Sequence, residues 1–197
     1  MTPLAISVIV LWIVVLALLA VVLALTRQLG VLHERISPVG ALMLNRGLNV
    51  GESAPELDVI DLDGSSIRLG APRADGKSTL LLFVSPTCPV CKSLLPIVKS
   101  SGKHERDWLD IVLASDGNPE EHRAYVNTNG LGNVPYVISA PLGLTYQVSR
   151  LPFAALIDEA GILRARGLVN SREHLESLFE AKRLGVASLQ EYFAGAK

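Results

Sequence analysis

Residues 80–84 read Leu-Leu-Leu-Phe-Val, an apolar run without a polar break, and they constrain the fold more than any other stretch. A half-exposed strand alternates apolar and polar side chains, so a short unbroken run fits a strand buried on both faces. Ser85, Pro86 and Thr87 end the run, and Cys88-Pro89-Val90-Cys91 follows at once. Beyond it, Leu94, Leu95 and Val98 recur at helical spacing. The stretch therefore predicts strand, tight turn and helix, with Cys88 at the helix N-terminus. Backbone N–H groups left without partners in a first helical turn, and the positive end of the helix dipole, favour a thiolate over a thiol.

Cys88 and Cys91 are the 2 cysteines of a 197-residue chain. A random pair would fall at this spacing in roughly one case in a hundred, so the spacing carries information. Two buried cysteines acting as small hydrophobes would explain it poorly. A zinc site would need two more ligands, and His33, His104, His122 and His174 show no paired spacing of the kind zinc sites use. The pair predicts a redox-active dithiol, with no metal and no cofactor beyond the Cys88–Cys91 disulfide itself.

The formal net charge of −1 leaves no basic excess to meet phosphates, which argues against nucleic acid as a partner. Residues 4–25 carry Ser7 as their single polar side chain. At 1.5 Å per residue that run would rise roughly 33 Å, which predicts a single-pass transmembrane helix. A cleaved signal peptide would have a basic start, a shorter apolar stretch and a small-residue cleavage site, and none of these is present. Arg27, Arg35 and Arg46 follow the run and would put the remainder in the cytoplasm. A dithiol suited to a disulfide-forming compartment argues the other way, for an inner-membrane protein with its C-terminal domain in the periplasm. The chemistry outweighs three scattered arginines.

Four segments follow: a transmembrane anchor over residues 1–27, a juxtamembrane connector over 28–50, a globular domain over 51–185 and a C-terminal helix or tail over 186–197. Within the domain, residues 57–62 and 66–69 form a hairpin about Asp63-Gly64. A helix over residues 91–101 follows the dithiol, with Pro96 expected to kink it. Residues 110–115 are a buried strand, and 119–129 a helix capped by Asn118 with Pro119 at its first position. A short strand over 134–139 and a short helix over 142–148 lead to a second hairpin, 153–158 and 162–168. Asn170 and Glu173 form a capping box for a last helix. Leu175, Leu178, Phe179 and Lys182 share one face of it.

Strand, Cys-x-x-Cys at a helix start, a strand-helix-strand unit and a proline before a closing hairpin resemble the thioredoxin fold, over residues 51–184. The opening Gly51-Glu52-Ser53-Ala54-Pro55 and the apolar N-terminus are similar to the membrane-anchored TlpA/ResA-type thioredoxins. The fold class implied is α/β, thioredoxin-like, preceded by one N-terminal transmembrane helix. In such proteins a cis-proline stands where Leu151-Pro152 stands here, opposite the dithiol, and its strand edge positions the bound substrate chain. Residues 32–43, Leu-His-Glu-Arg-Ile-Ser-Pro-Val-Gly-Ala-Leu-Met, together with residues 85–92, resemble more specifically the accessory proteins of methylamine utilisation. That resemblance implies a thiol–disulfide protein that matures the small subunit of methylamine dehydrogenase, with a further redox partner it does not identify.

Two departures from the commoner thioredoxin pattern stand out. Thr87 replaces a tryptophan before the first cysteine. Leu82 occupies the place where many thioredoxins bury a carboxylate that helps deprotonate the second cysteine, which favours an oxidase or isomerase over a general reductase. Cys88 is then the nucleophile and Cys91 the resolving partner, within a loop of Thr87, Pro89 and Val90 that Pro89 stiffens. Lys92 could add positive charge or be an ordinary solvated lysine. Three other readings compete. A peroxidase would place its cysteine in a Pro-x-x-x-Thr-x-x-Cys setting, which Pro86-Thr87-Cys88 does not match. A non-catalytic scaffold would hold the same client without exchange, and a reductase would serve cytochrome c maturation.

Overall fold

The computed structural model describes residues 3–34 and 48–185. The chain divides into two compact units, Met1–Arg46 and Gly47–Lys197. In the first unit, helix α1 spans Pro3–Glu34 and so continues past the apolar run. Among the described residues no helix is long and apolar enough to cross a membrane. This corrects the expectation of a single-pass inner-membrane anchor, and with it the periplasmic placement built on that anchor. Residues 35–47 of the expected connector, and the expected terminal helix or tail over 186–197, lie outside the described residues.

The second unit is built on a five-stranded mixed sheet of order β5-β4-β3-β6-β7. Its central strand β3, Ser78–Phe83, is buried along its whole length. It pairs in parallel with β4, Leu109–Ser115, and antiparallel with β6, Phe153–Ile157. The outer neighbours are β5, Tyr136–Ile138, beside β4, and β7, Leu163–Leu168, beside β6. Leu80, Leu82 and Val84 enter one core, whereas Leu81 and Phe83 enter the other. The unbroken apolar run is thus a strand whose two faces both meet packed layers.

One core holds helix α2, Pro89–His104, and helix α5, Arg172–Leu184, through Leu94, Leu95 and Val98 and through Leu175, Leu178 and Phe179. Helix α3, Pro119–Thr128, contributes Tyr125 to the same core. The other core holds helix α4, Ala140–Thr145, and the hairpin of β1, Leu57–Ile60, with β2, Ser66–Leu69. Asp61 accepts from the N–H groups of Asp63 and Ser65 and closes the first hairpin, with Gly64 at φ +89°.

Several boundaries differ from the sequence pattern for local reasons. Helix α2 begins at Pro89, two residues earlier than expected, because Pro89 takes the first helical position and Cys88 caps it. Pro96 lies inside α2, which runs on to His104. Helix α4 also starts two residues early, since the Ser139 hydroxyl accepts from the Leu142 N–H at 3.2 Å. Asn118 caps α3 as expected, accepting from Glu120 N–H at 3.0 Å. The capping box at Asn170 is corrected by one residue. Ser171 caps α5 and accepts from His174 N–H, so the nearer of two adjacent capping residues prevails. Lys182 does extend the apolar face, its ammonium 4.9 Å from the centre of the Trp108 ring and 2.9 Å from Glu159 Oε2.

Candidate redox site

The site grows from the C-terminal end of β3. Val84 N–H donates to Ala114 O at 2.9 Å, and the Ser115 hydroxyl donates to Val84 O at 2.8 Å, which fixes the point where the chain leaves the sheet. Ser85 then organises the turn: Thr87 N–H and Cys88 N–H donate to its hydroxyl and carbonyl at 3.3 and 3.2 Å. Thr87, Pro89 and Val90 are exposed around the dithiol, and Lys92 is exposed on the helix beyond it.

Cys88 has extended backbone angles, φ −86° and ψ 112°, as a helix cap should. Its Sγ accepts the Cys91 N–H at 3.1 Å, so the sulfur performs the service a serine or aspartate oxygen gives at other helix starts. The two cysteines are free thiols in this structure, Cys88 half-buried and Cys91 fully buried. Burial, then the neighbouring Cys88, pushes the Cys91 thiol up to about 12, while the Ser85 backbone pulls weakly the other way. The dithiol is therefore asymmetric. One sulfur is reachable and held by a charge-favouring contact; the other is enclosed and kept as a thiol.

The Leu151–Pro152 peptide bond is cis, as the resemblance implies. Phe83 pairs with Phe153, so Pro152 adjoins the sheet end from which the Ser85–Cys88 turn springs. Pro152 is buried and accepts from Val169 N–H at 3.1 Å, whereas Leu151 remains partly exposed. A cleft of about 470 Å³ lies beside this edge, lined among others by Val84, Ser115, Asp116, Leu144, Arg150 and Leu151. Among the described residues no group of acidic, histidine and cysteine side chains could hold a metal ion.

Beneath the dithiol lies a polar cluster that the sequence did not announce. Leu82, where a carboxylate would serve Cys91, is fully buried and apolar. Tyr125 and Tyr136 lie in the same core as Cys91, their ring centres 6.3 Å apart. His122 Nε2 lies 2.9 Å from Asp116 O, which can only accept, so that nitrogen carries a proton. In the neutral ring Nδ1 is then an acceptor, and the Tyr136 hydroxyl donates a hydrogen bond to it at 2.9 Å. Tyr125 Oη alone among the buried, described side-chain polar atoms has no partner. Residues drawn from α3 and β5 leave no local spacing to read, and that is why they escaped notice.

No family model matches the chain. Curated relatives do. The chain is 48% identical over 189 residues to methylamine utilization protein MauD of Paracoccus denitrificans, covering 96% of this chain and 94% of that one. It is 47% identical to the MauD of Paracoccus versutus, covering 100% and 98%. It is 43% identical to that of Methylorubrum extorquens, covering 95% and 90%. Among solved structures, a putative protein disulfide isomerase from Bacteroides thetaiotaomicron superposes with a TM-score of 0.59 at 21% identity, over 70% of this chain and 88% of that one. A putative thioredoxin from Neisseria meningitidis gives 0.56 at 24% identity, over 68% and 91%. These neighbours establish the thioredoxin-like fold. The near full-length identity goes further, and the chain belongs to the MauD family of methylamine utilization proteins.

Proposed function

We propose that the chain is a protein thiol–disulfide oxidoreductase that assists disulfide formation in the small subunit of methylamine dehydrogenase. The observation that carries this reading is the asymmetric dithiol, with Cys88 Sγ capping a helix at 3.1 Å from the Cys91 N–H and Cys91 enclosed behind it. In the oxidised protein a client thiolate attacks Cys88 Sγ, the Cys88–Cys91 bond breaks, and Cys91 leaves as a thiolate that takes up a proton. A second client thiolate then attacks the client sulfur of the mixed disulfide, and Cys88 leaves as a thiolate. The client gains one disulfide, and the chain is left as a dithiol for a separate redox partner to reoxidise. Leu151 and Pro152 position the client backbone, and Thr87, Pro89 and Val90 form the contact rim. The MauD names of the relatives support the choice of client through methylamine utilisation.

Cys91→Ala removes the intramolecular escape from the mixed disulfide, so a covalent complex through Cys88 should accumulate. The test is a non-reducing gel of extracts from cells growing on methylamine, with the trapped band identified by mass spectrometry. The dehydrogenase small subunit is expected. A ladder of unrelated proteins would make the chain a general oxidoreductase, and apocytochrome c would make it a haem-maturation reductase. No band, with growth unimpaired by Cys88→Ser, would leave a non-catalytic scaffold.

A further inference from the structure

The C-terminal half of α2 lines a further cavity, of about 700 Å³. Asp110, on its wall, pairs with Thr79 at the start of β3, whereas the dithiol turn leaves the other end of that strand. Val98, Leu109 and Ile111 give the cavity an apolar surface. Its charged lining is Arg73, Lys99, Lys103 and Arg106 against the single carboxylate of Asp110. That carboxylate is already answered, by Arg73 Nη2 at 2.6 Å and Lys77 Nζ at 3.2 Å, and Arg73 is shared with Asp75. Two cations and two acids balance there. The remaining cations have no such balance. Lys99 Nζ donates to the Asn129 carbonyl, which carries no net charge to neutralise it. Arg106 meets Asp107 at 3.9 Å, with both side chains largely in water. Lys103 has no ion-pair or hydrogen-bond partner among the described residues. The negative end of the α2 dipole offsets only about half a charge. Positive charge is thus gathered at one cavity in a chain whose net charge is −1.

We propose that this cavity docks an acidic segment of a partner polypeptide, whose carboxylates meet Lys99, Lys103 and Arg106 while an apolar side chain enters against Val98, Leu109 and Ile111. Lys99 and Lys103 stand about one helical turn apart on α2, roughly 6 Å along its axis, and Arg106 follows beyond the helix end. The charges are therefore strung along a line, which suits an extended chain bearing carboxylates at intervals. A lone inorganic anion would engage one end of that line, and it gains nothing from the apolar wall. From Cys88 to Lys99 the helix rises roughly 16 Å, so a segment held in the cavity leaves the dithiol open. Docking here is independent of the exchange reading and holds whichever way Cys88 reacts.

The test is fluorescence anisotropy of a labelled peptide repeating Glu-Glu-Leu, titrated with the full chain at low ionic strength. The same peptide built on Gln-Gln-Leu is the comparison. Saturable binding of the acidic peptide is expected, weakening as salt rises, with none for the glutamine peptide. Lys103 and Arg106 are both exposed, so Lys103→Glu with Arg106→Glu should leave the urea midpoint in place. An exposed ion pair changes an equilibrium by roughly one- to fivefold, and each reversal removes an attraction and adds a repulsion of like size. The double variant should therefore bind about ten- to a hundredfold more weakly. Lys92→Glu with Arg150→Glu makes the same change of charge at the dithiol end and should stay within about threefold of wild type. Loss in that variant, with the cavity variant unaffected, would move docking to the dithiol end and overturn the proposal. So would equal binding of the two peptides. Inorganic phosphate that displaces the peptide where chloride of equal ionic strength does not would reduce the cavity to a small-anion site, against the proposal.

Discussion

Cys91 donates its backbone N–H to the sulfur of Cys88 at 3.1 Å, so Cys88, the proposed nucleophile, caps the helix turn that carries its proposed resolving partner. One contact ties the nucleophile to the helix start, where negative charge is favoured. The same geometry seats Cys91 one turn inside, fully buried.

Alkylation should divide the pair. Cys88 is half-buried, whereas Cys91 is enclosed with its thiol pushed up to about 12. Iodoacetamide at neutral pH should label Cys88 at least about tenfold faster than Cys91, since the thiolate is the reactive form. Peptide mapping after timed quenching reads this out. Equal rates would defeat the assignment of roles.

Stability at alkaline pH should depend on redox state. The folded Cys91 thiol is raised to about 12, against an unfolded thiol near roughly 8.5. A raised group contributes stability that is intact below the unfolded value and is lost as pH climbs towards the folded one. The reduced chain should therefore lose resistance to urea between about pH 9 and 12. The oxidised chain has no thiol to titrate and should lose less. Tyr125 and Tyr136, both raised to about 12 by burial, add a decline common to both forms. Parallel urea midpoints for the two forms across this range would refute the expectation.

Gly161 offers a test of the frame away from the dithiol. Its φ is +78°, and a Cβ there would meet Gly70 O at 2.6 Å. Gly161→Ala should destabilise by about 1–3 kcal/mol from the backbone conformation alone, with the clash adding to it. Thr79 pairs with Ile157 and Phe83 with Phe153, which sets this turn at the sheet end opposite the cysteines. Thermal unfolding should fall while the exchange rate of Cys88 holds. A slowed exchange would mean that the two ends of the sheet are coupled.

What the sequence disclosed follows from the range of each interaction. The run at residues 80–84 was legible because burial on both faces abolishes alternation, and β3 feeds both cores. Cys88, Cys91 and the Asn118 cap were legible because helix starts use contacts two or three residues apart. Asn170 was mistaken for the cap because Ser171 beside it is equally competent, and only the backbone path chooses between them. The apolar run over residues 4–25 suggested more than the described helix supports. The tyrosine and histidine cluster was illegible. His122 finds Tyr136 at a separation of 14 positions in sequence, and no period links them.

That cluster yields the sharpest contrast, because two adjacent buried tyrosines should answer oppositely to the same substitution. The Tyr136 hydroxyl donates to His122 Nδ1 at 2.9 Å, while Nε2 is committed to Asp116 O at 2.9 Å. Tyr136→Phe leaves Nδ1 buried beside a ring edge that cannot donate, and His122 is only 2% exposed, so water offers little relief. Leaving a buried acceptor unmet costs about 1–3 kcal/mol. Tyr125 has no such partner to strand. Tyr125→Phe removes a buried polar atom that makes no hydrogen bond and leaves the ring in place, so stability should hold or rise slightly. Chemical denaturation of the two variants in the reduced state, under identical conditions, measures both. A substantial loss for Tyr125→Phe would show that its hydroxyl is already bonded in the resting dithiol.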